Sequence, residues 1–315
     1  MISLRKAGRV RAAAVKAAAT ACIVPTSQNS RLLSTGAVKP VFRYLSAWFC
    51  PFAHRATLAL EHHADRVGYE WVEALGWTRK ETQEGERADE WYYHWKSEEL
   101  VLHNPSALVP TLIDHKGRSV YESLVCVDFV DSISGATGMD RLVSEDAVEA
   151  ARCRVWADKV NRECCSPYYG VLVKTEKNEQ KASFQALLTG LRAFSKELEK
   201  TAGPTFLANA QLSNTDLSIL PWAYRYYVFE KYRGSEFVIP RDDTSLSAYT
   251  EWYDHVMALP QVVRTLPDKE RYLEHIAKYA TSSARSKVAN AVRRGVAAHE
   301  LHDELDESHP VPAPK

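Results

Sequence analysis

The stretch FCPF, residues 49–52, places a cysteine directly before a proline, at the point where an extended segment becomes a helical pattern. Proline suits the first helical position because its missing N–H costs nothing there, so Cys50 is the predicted N-cap. Its sulfur is then expected beside unpaired backbone N–H groups, which favour the thiolate and lower the pKa of a cysteine. His54 and Arg55 are expected to add positive potential. The pattern predicts a nucleophile; a buried structural cysteine is the alternative.

The sequence around Cys50 offers no second cysteine to resolve a disulfide, because the third residue after it is Ala53. A disulfide formed on Cys50 therefore needs an external thiol. The six cysteines form no CxxC pair and no Cys/His cluster with zinc spacing, which argues against a disulfide framework and a structural metal. Cys164 and Cys165 are expected to be ordinary helix positions, in the core or on the surface.

Two further motifs carry groups that suit a small zwitterionic peptide. In NPSALVPTL, a turn at Val109–Pro110 with a cis peptide leaves the backbone of Val109 able to pair with an extended ligand. In VYESL, Ser123 is the expected N-cap of the next helix and a site for a carboxylate, while Glu122 is placed to hold an ammonium group. Together with a thiolate, these groups indicate a receptor for a thiol-containing peptide.

The elements that must position these residues follow a thioredoxin-like order. The patterns predict strands at 41–47, 69–74, 108–114 and 119–122, and helices at 51–63 and 123–134. Beyond residue 143, apolar stripes with charged opposite faces predict helices only. We therefore expect an α/β thioredoxin-like N-terminal domain over 39–135, with an insertion at 75–95, followed by an all-α helical bundle domain over 143–280.

Composition excludes some functions and predicts a targeting segment. The chain has 315 residues with 40 Lys plus Arg against 40 Asp plus Glu, which gives no electrostatic basis for bulk nucleic-acid binding. The sequence contains no run of about 18 uncharged apolar residues, the length that would indicate a membrane span. Residues 1–38 are rich in Ala and basic residues, and no acidic residue precedes Glu61, which is typical of a mitochondrial transit peptide. A disordered basic arm on a cytoplasmic protein is the alternative. The tail, 281–315, is expected to be partly disordered.

The motifs FCPFAHR, NPSALVPTLID and VYESLVCVDFVD, in this order and spacing, resemble the glutathione transferases, and most closely the Omega class with its Cys-Pro-Phe motif. The resemblance covers about residues 41–280. It implies the glutathione transferase fold, glutathione as cosubstrate, no metal, and a homodimer. It includes LSNTDLSILPW, in which Ser213 and Asp216 have the spacing of a capping box and therefore a structural role.

The resemblance also implies roles for individual residues. Cys50 matches the nucleophile that forms a mixed disulfide with glutathione. The residues that match glutathione-binding positions are Phe52, Lys96, Val109, Pro110, Glu122 and Ser123. Lys96 has the offset of an Omega-type lysine that reaches the glycyl carboxylate; an ordinary solvated lysine is the alternative.

The implied activity is glutathione-dependent thiol transfer or reduction, such as deglutathionylation or reduction of dehydroascorbate. One alternative is a glutathionyl-hydroquinone reductase, because those relatives carry CPWAHR and this chain differs only at Phe52. An alternative of another class is a non-catalytic binding or regulatory module with the same fold.

The sequence leaves the roles of two sets of aromatic residues open. The first set lies in the insertion and consists of Trp77, Trp91, Tyr92, Tyr93 and Trp95. Three roles are open for it: capping the pocket, contacting a partner, or belonging to a plain surface loop. The helical-domain set lines a cosubstrate pocket or belongs to the core, and consists of Tyr168, Tyr169, Trp222, Tyr226 and Tyr227.

Overall fold

The computed structural model describes residues 39–79 and 91–301. The predicted transit peptide, the middle of the insertion and the end of the tail lie outside these residues. Within the described part of the chain, no helix is both long and apolar enough to cross a bilayer.

The thioredoxin-like layer is confirmed. Its strands and main helices are β1 (Val41–Ser46), α1 (Pro51–His62), β2 (Gly68–Glu73), β5 (Thr111–Ile113), β6 (Ser119–Tyr121) and α3 (Ser123–Ile133). β1 pairs in parallel with β2 and antiparallel with β5, and β5 pairs antiparallel with β6, so the sheet order is β2-β1-β5-β6. α1 and α3 pack against each other beside this sheet. The amino ends of α1 and α3 are thereby brought to a common edge of the layer.

The insertion and the tail form a second sheet. β3 (Leu75–Arg79) and β4 (Tyr92–Lys96) are antiparallel, and β7 (Ala284–Arg285) of the tail pairs in parallel with β4. Trp95 covers Gly76 closely: a Cβ at Gly76 would lie 2.5 Å from the indole ring. The helix α12 (Lys287–Arg293) follows β7 and is largely buried. The described part of the C-terminal extension is therefore folded.

The region from residue 143 to residue 280 is helical, as predicted. Its helices are α4 (Ala147–Val160), α5 (Ser166–Val173), α6 (Lys177–Leu198), α7 (Asn214–Arg225), α8 (Val228–Arg233), α9 (Ser247–Ala258), α10 (Pro260–Val263) and α11 (Lys269–Ala280). A short helix, α2 (Glu98–His103), precedes the Val109 turn. A π-helical turn, Asn161–Cys165, joins α4 to α5.

The predicted capping box of α7 is present and anchors the helical core. The backbone N–H of Ser213 donates to Asp216 Oδ2 over 2.8 Å, and Ser213 Oγ receives the backbone N–H of Asp216. The other carboxylate oxygen of Asp216 accepts from Phe206 N at 3.0 Å and from Trp252 Nε1 at 2.8 Å. Both residues are fully buried, so their role is structural.

Candidate active site

Cys50 lies at the amino end of α1, with Pro51 in the first turn, as predicted. Its φ of −75° and ψ of 117° are those of an N-cap residue, and its carbonyl accepts from His54 N at 3.0 Å. The sulfur-bearing side chain is half-buried and lines a cavity of about 310 Å³. The other described cysteines, Cys126, Cys153, Cys164 and Cys165, are buried and free. Cys50 is therefore the described cysteine that faces the cavity.

The electrostatic balance at Cys50 differs from the prediction of a lowered pKa. Burial raises the pKa of the Cys50 thiol above its ordinary value. Hydrogen bonds from the backbone N–H groups of Ala53 and Phe52 and the positive charges of Arg225 and Arg55 lower the same pKa without offsetting the burial. The sequence indicates where a helix begins, but it does not show how far the sulfur is withdrawn from water.

His54 does not add the positive charge expected of it. Burial and the neighbouring Arg225 hold the pKa of His54 well below its usual range, so the ring is neutral. In this state His54 Nε2 donates to Thr265 Oγ1 at 2.7 Å, and Nδ1 accepts from Arg225 Nη1 at 3.1 Å. His54 therefore holds Arg225 in place.

Arg225 is a functional candidate that the sequence reasoning missed. It ends α7, is fully buried, and donates from Nη1 to Pro221 O at 2.6 Å. Among the residues that the structure describes, no hydrogen-bond partner exists for its Nε and Nη2 atoms. The sequence feature that could have identified it is its position as an arginine inside the apolar and aromatic run ILPWAYRYYVF, which indicates a buried cation.

Arg55 supplies the cation predicted for it and links the two layers. Its Nη1 donates to Ser123 Oγ at 3.1 Å, Nε to Ser218 O at 2.9 Å, and Nη2 to Asn161 Oδ1 at 2.8 Å. Its guanidinium lies 4.4 Å from the centre of the Trp222 ring. Within residues 39–79 and 91–301, neither Arg55 nor Arg225 forms an ion pair with a carboxylate. Buried cations without such a partner favour an anion nearby, such as a thiolate or a ligand carboxylate.

The backbone around Val109 has the predicted shape. The Val109–Pro110 peptide is cis, and both residues line the cavity. Asn104 braces the turn, because its Nδ2 donates to Leu108 O at 2.8 Å and to Thr111 Oγ1 at 3.1 Å. The backbone polar groups of Val109 are thus held at the cavity wall.

Glu122 and Ser123 also line the cavity, but their roles in the helix differ from the prediction. Glu122, not Ser123, is the N-cap of α3, with a positive φ of 70°. Such a φ is strained for glutamate, and residues held this way concentrate at functional sites. Since Thr111 pairs with Tyr121, Pro110 and Glu122 leave the β5–β6 hairpin at the same end. Ser123 is the first residue of α3, and its hydroxyl is bound by Arg55 instead of capping the helix.

The structure does not place Lys96 at the cavity. Lys96 is the last residue of β4, opposite Leu75, and is 6 % exposed, so it is not a solvated lysine either. The insertion folds back as a hairpin, which removes Lys96 from the position that its sequence offset implied. His94 lines the cavity instead, with its ring stacked 6.3 Å from that of Phe49.

The aromatic residues divide between core and pocket. None of the five insertion aromatics is among the described residues that line the cavity. From the helical-domain set, Tyr169 lines the cavity, with its ring parallel to that of Phe52 at 6.5 Å. Tyr168, Trp222 and Tyr226 are buried in the core, and Tyr227 is half-buried.

The tail contributes a wall that the sequence reasoning did not foresee. Five of its residues line the cavity: Ser286, Lys287, Val288, His299 and Leu301. The visible signal was the weak apolar stripe of KVANAVRR, which indicates a helix but not its docking position. The cavity is therefore closed by three parts of the chain: the thioredoxin-like layer, the helical layer and the tail.

Comparisons with known proteins agree with this arrangement. Residues 49–133 match the family model of the glutathione S-transferase N-terminal domain. Glutathione transferase GST 23 of Zea mays is 28% identical over 179 residues, covering 56% of this chain and 76% of that protein. Glutathione transferase Omega 3C from Trametes versicolor superposes with a TM-score of 0.59 at 26% identity, covering 77% of this chain and 91% of that one. Rice GST1, solved in complex with glutathione, superposes with a TM-score of 0.61 at 22% identity, covering 78% and 98%.

The helix-capping cysteine, the cis Val109–Pro110 turn and the Glu122–Ser123 pair share one cavity in a two-layer fold that these proteins have in common. The matched family model spans the segment that carries all three features. The chain has the glutathione transferase fold and is similar in sequence to glutathione transferases.

Proposed function

We propose that the chain is a glutathione-dependent thiol transferase and reductase of the Omega type, with Cys50 as the nucleophile. The observation that carries this proposal is the position of Cys50 at the cavity, between the start of α1 and the cis Val109–Pro110 turn. Similarity to an Omega structure and to a rice relative that was solved with glutathione supports it. We take glutathione as the cosubstrate of this chain.

The proposed reaction has two disulfide exchanges. The Cys50 thiolate attacks the glutathione sulfur of a mixed disulfide R–S–S–G, which forms Cys50–S–S–G and releases R–S⁻. A second glutathione thiolate then attacks the glutathione sulfur of Cys50–S–S–G, which forms oxidised glutathione and releases the Cys50 thiolate. Because the other described cysteines are buried away from the cavity, an external thiol is the resolving group.

The site favours this chemistry over conjugation of glutathione to electrophiles. Conjugation in the family uses a Tyr or Ser that activates the thiol of glutathione, whereas a cysteine in that position forms a bond to it. A hydroquinone reductase would use the same cysteine, and turnover of a glutathionyl-hydroquinone well above that of a mixed disulfide would favour it. Binding of glutathione without any turnover would favour a regulatory module.

The proposal is tested by trapping the intermediate. Incubation of the reduced protein with oxidised glutathione, followed by acid quench and peptide mass spectrometry, is expected to show one glutathione on the Cys50 peptide. Excess dithiothreitol should remove it. The buried Cys126, Cys153, Cys164 and Cys165 serve as internal controls. A glutathione adduct on one of these residues with none on Cys50 would refute the proposal.

We further propose that residues 1–38 direct import into mitochondria, on the basis of their composition alone. A fluorescent protein fused after residue 38 is expected to colocalise with a mitochondrial marker, and a fusion lacking residues 1–38 is expected to remain in the cytosol. Identical distributions of the two fusions would rule this out. The homodimer that the family resemblance implies likewise stays a prediction.

A further inference from the structure

The π-helical turn Asn161–Cys165 interrupts the passage from α4 into α5 beside the cavity. Its width is set by one hydrogen bond, in which the backbone N–H of Ser166 donates to Asn161 O, five residues earlier. Pro167, in the first turn of α5, explains the interruption, because proline has no N–H to donate and its ring clashes with the carbonyl four residues before it. Such turns inside helices occur frequently at functional sites.

Both end residues of this turn contact the same nitrogen of Arg55. Asn161 Oδ1 accepts from Arg55 Nη2 at 2.8 Å, and Cys165 Sγ lies 3.5 Å from that nitrogen. Asn161 and Arg55 line the cavity, whereas Cys165 is fully buried. Since Ser123 Oγ is bound by Nη1 and Ser218 O by Nε, the turn supplies the partners of the remaining nitrogen of the guanidinium.

The turn is also held in place by α6. A Cβ at Gly190 would lie 2.4 Å from Glu163 O, so the backbone of α6 packs directly against the turn. Only glycine permits so close an approach. The backbone N–H of Asn161 donates to both Ala157 O and Asp158 O at the end of α4. Asn161 therefore belongs to a segment whose backbone is fixed by packing and by hydrogen bonds.

The hydrogen-bond acceptors of Arg55 are all uncharged. They are the hydroxyl of Ser123, the carbonyl of Ser218 and the side-chain amide of Asn161. Arg55 is 1 % exposed, so bulk water contributes little to the solvation of its charge. A carboxylate at position 161 would neutralise this charge, whereas an amide of the same shape orients the guanidinium without doing so. The positive charge of Arg55 thus stays available to an anion in the cavity.

We infer that Asn161 is a positioning residue, which fixes Arg55 beside Ser123 while it leaves the positive charge of Arg55 to a bound anion. The inference rests on the proposed function, because it takes this anion to be a carboxylate of glutathione. Asn161 acts through Arg55, so the property that matters is an acceptor oxygen without a charge. An aspartate would bind Arg55 Nη2 as well and would compete with the ligand for the guanidinium.

The test is a calorimetric titration with S-methylglutathione, whose blocked thiol cannot form a disulfide. Asn161→Asp keeps the shape, adds a negative charge beside Arg55, and is expected to weaken binding roughly 10- to 100-fold. Asn161→Ala removes the acceptor but leaves the charge of Arg55, and should weaken binding less, roughly 3- to 10-fold. Thermal unfolding should show Asn161→Asp to be at least as stable as the unmodified chain, because a buried cation gains a counter-ion.

The matched control is Asn178→Asp, the same substitution at an exposed position of α6, which should bind the ligand like the unmodified chain. A smaller loss of affinity in Asn161→Asp than in Asn161→Ala would overturn the inference, because a purely structural role depends on shape, which alanine changes more. Unchanged binding in both variants would overturn it as well.

Alkylation of Cys50 by iodoacetamide gives a second measurement that needs no ligand. The positive charge of Arg55 lowers the pKa of the Cys50 thiol, so Asn161→Asp should move the pH of half alkylation upward, and by more than Asn161→Ala does. The opposite order would contradict the role of Asn161. If the unmodified chain bound no S-methylglutathione or transferred no thiol, the proposed function would be wrong, and the alkylation profiles would still decide whether Asn161 acts on the charge of Arg55.

Discussion

Replacing Cys50 by serine is expected to lower kcat/KM for transfer from a glutathionylated thiol at least about a thousandfold. The serine hydroxyl remains protonated at neutral pH and cannot form the mixed disulfide, while the cis Val109–Pro110 turn and Ser123 stay in place. Binding of S-methylglutathione should therefore change little. The measurement is steady-state turnover of a mixed disulfide at fixed pH, beside a binding titration.

The matched control for this substitution is Cys153→Ala, which removes a thiol buried in α4, away from the cavity. It should retain most of the activity. If Cys50→Ser turned over the mixed disulfide at the rate of the unmodified chain, the nucleophile would be another group and the proposed mechanism would be wrong.

Replacing Arg225 by methionine is expected to move the pH at which Cys50 is half alkylated upward by about one unit. The positive charge of Arg225 stabilises the thiolate, so its removal raises the pKa of a thiol that burial already raises. At pH 7 the rate of alkylation by iodoacetamide should then fall about tenfold. The measurement is the pH profile of iodoacetamide alkylation, with the Cys50 peptide followed by mass spectrometry.

Arg271→Met is the matched control, because Arg271 lies exposed on α11 with its guanidinium 3.8 Å from the Trp48 ring. It removes the same charge near the β1–α1 loop and should leave the Cys50 profile in place. Thermal unfolding of both variants establishes that they fold. An unshifted profile in a folded Arg225→Met variant would show that Arg225 does not act on the sulfur.

The features predicted correctly from the sequence depend on neighbouring residues. Proline after Cys50 sets the start of α1 through its own backbone, and a Val-Pro pair before a short strand indicates the turn that the structure has. The capping box of Ser213 and Asp216 is likewise a relation between residues three positions apart. Local backbone geometry of this kind can be predicted from a few residues that are close together in the sequence.

The features that were missed depend on contacts between distant parts of the chain. Arg225 is 175 positions from Cys50, and its effect on the sulfur arises only when α7 packs against α1. The neutral state of His54 has the same origin, since burial and Arg225 together lower its pKa. Lys287 reaches the cavity because the tail docks there, whereas Lys96 is turned away by a hairpin that the pattern did not reveal.

The pairing of β4 with β7 makes the insertion and the tail mutually dependent. The residues after β2 supply the strand β4, and the residues after α11 supply the strand β7 that pairs with its edge. Each strand therefore provides backbone hydrogen-bond partners that the other would otherwise lack. Removing the residues after α11 would thus expose an unpaired edge of β4 as well as open the cavity.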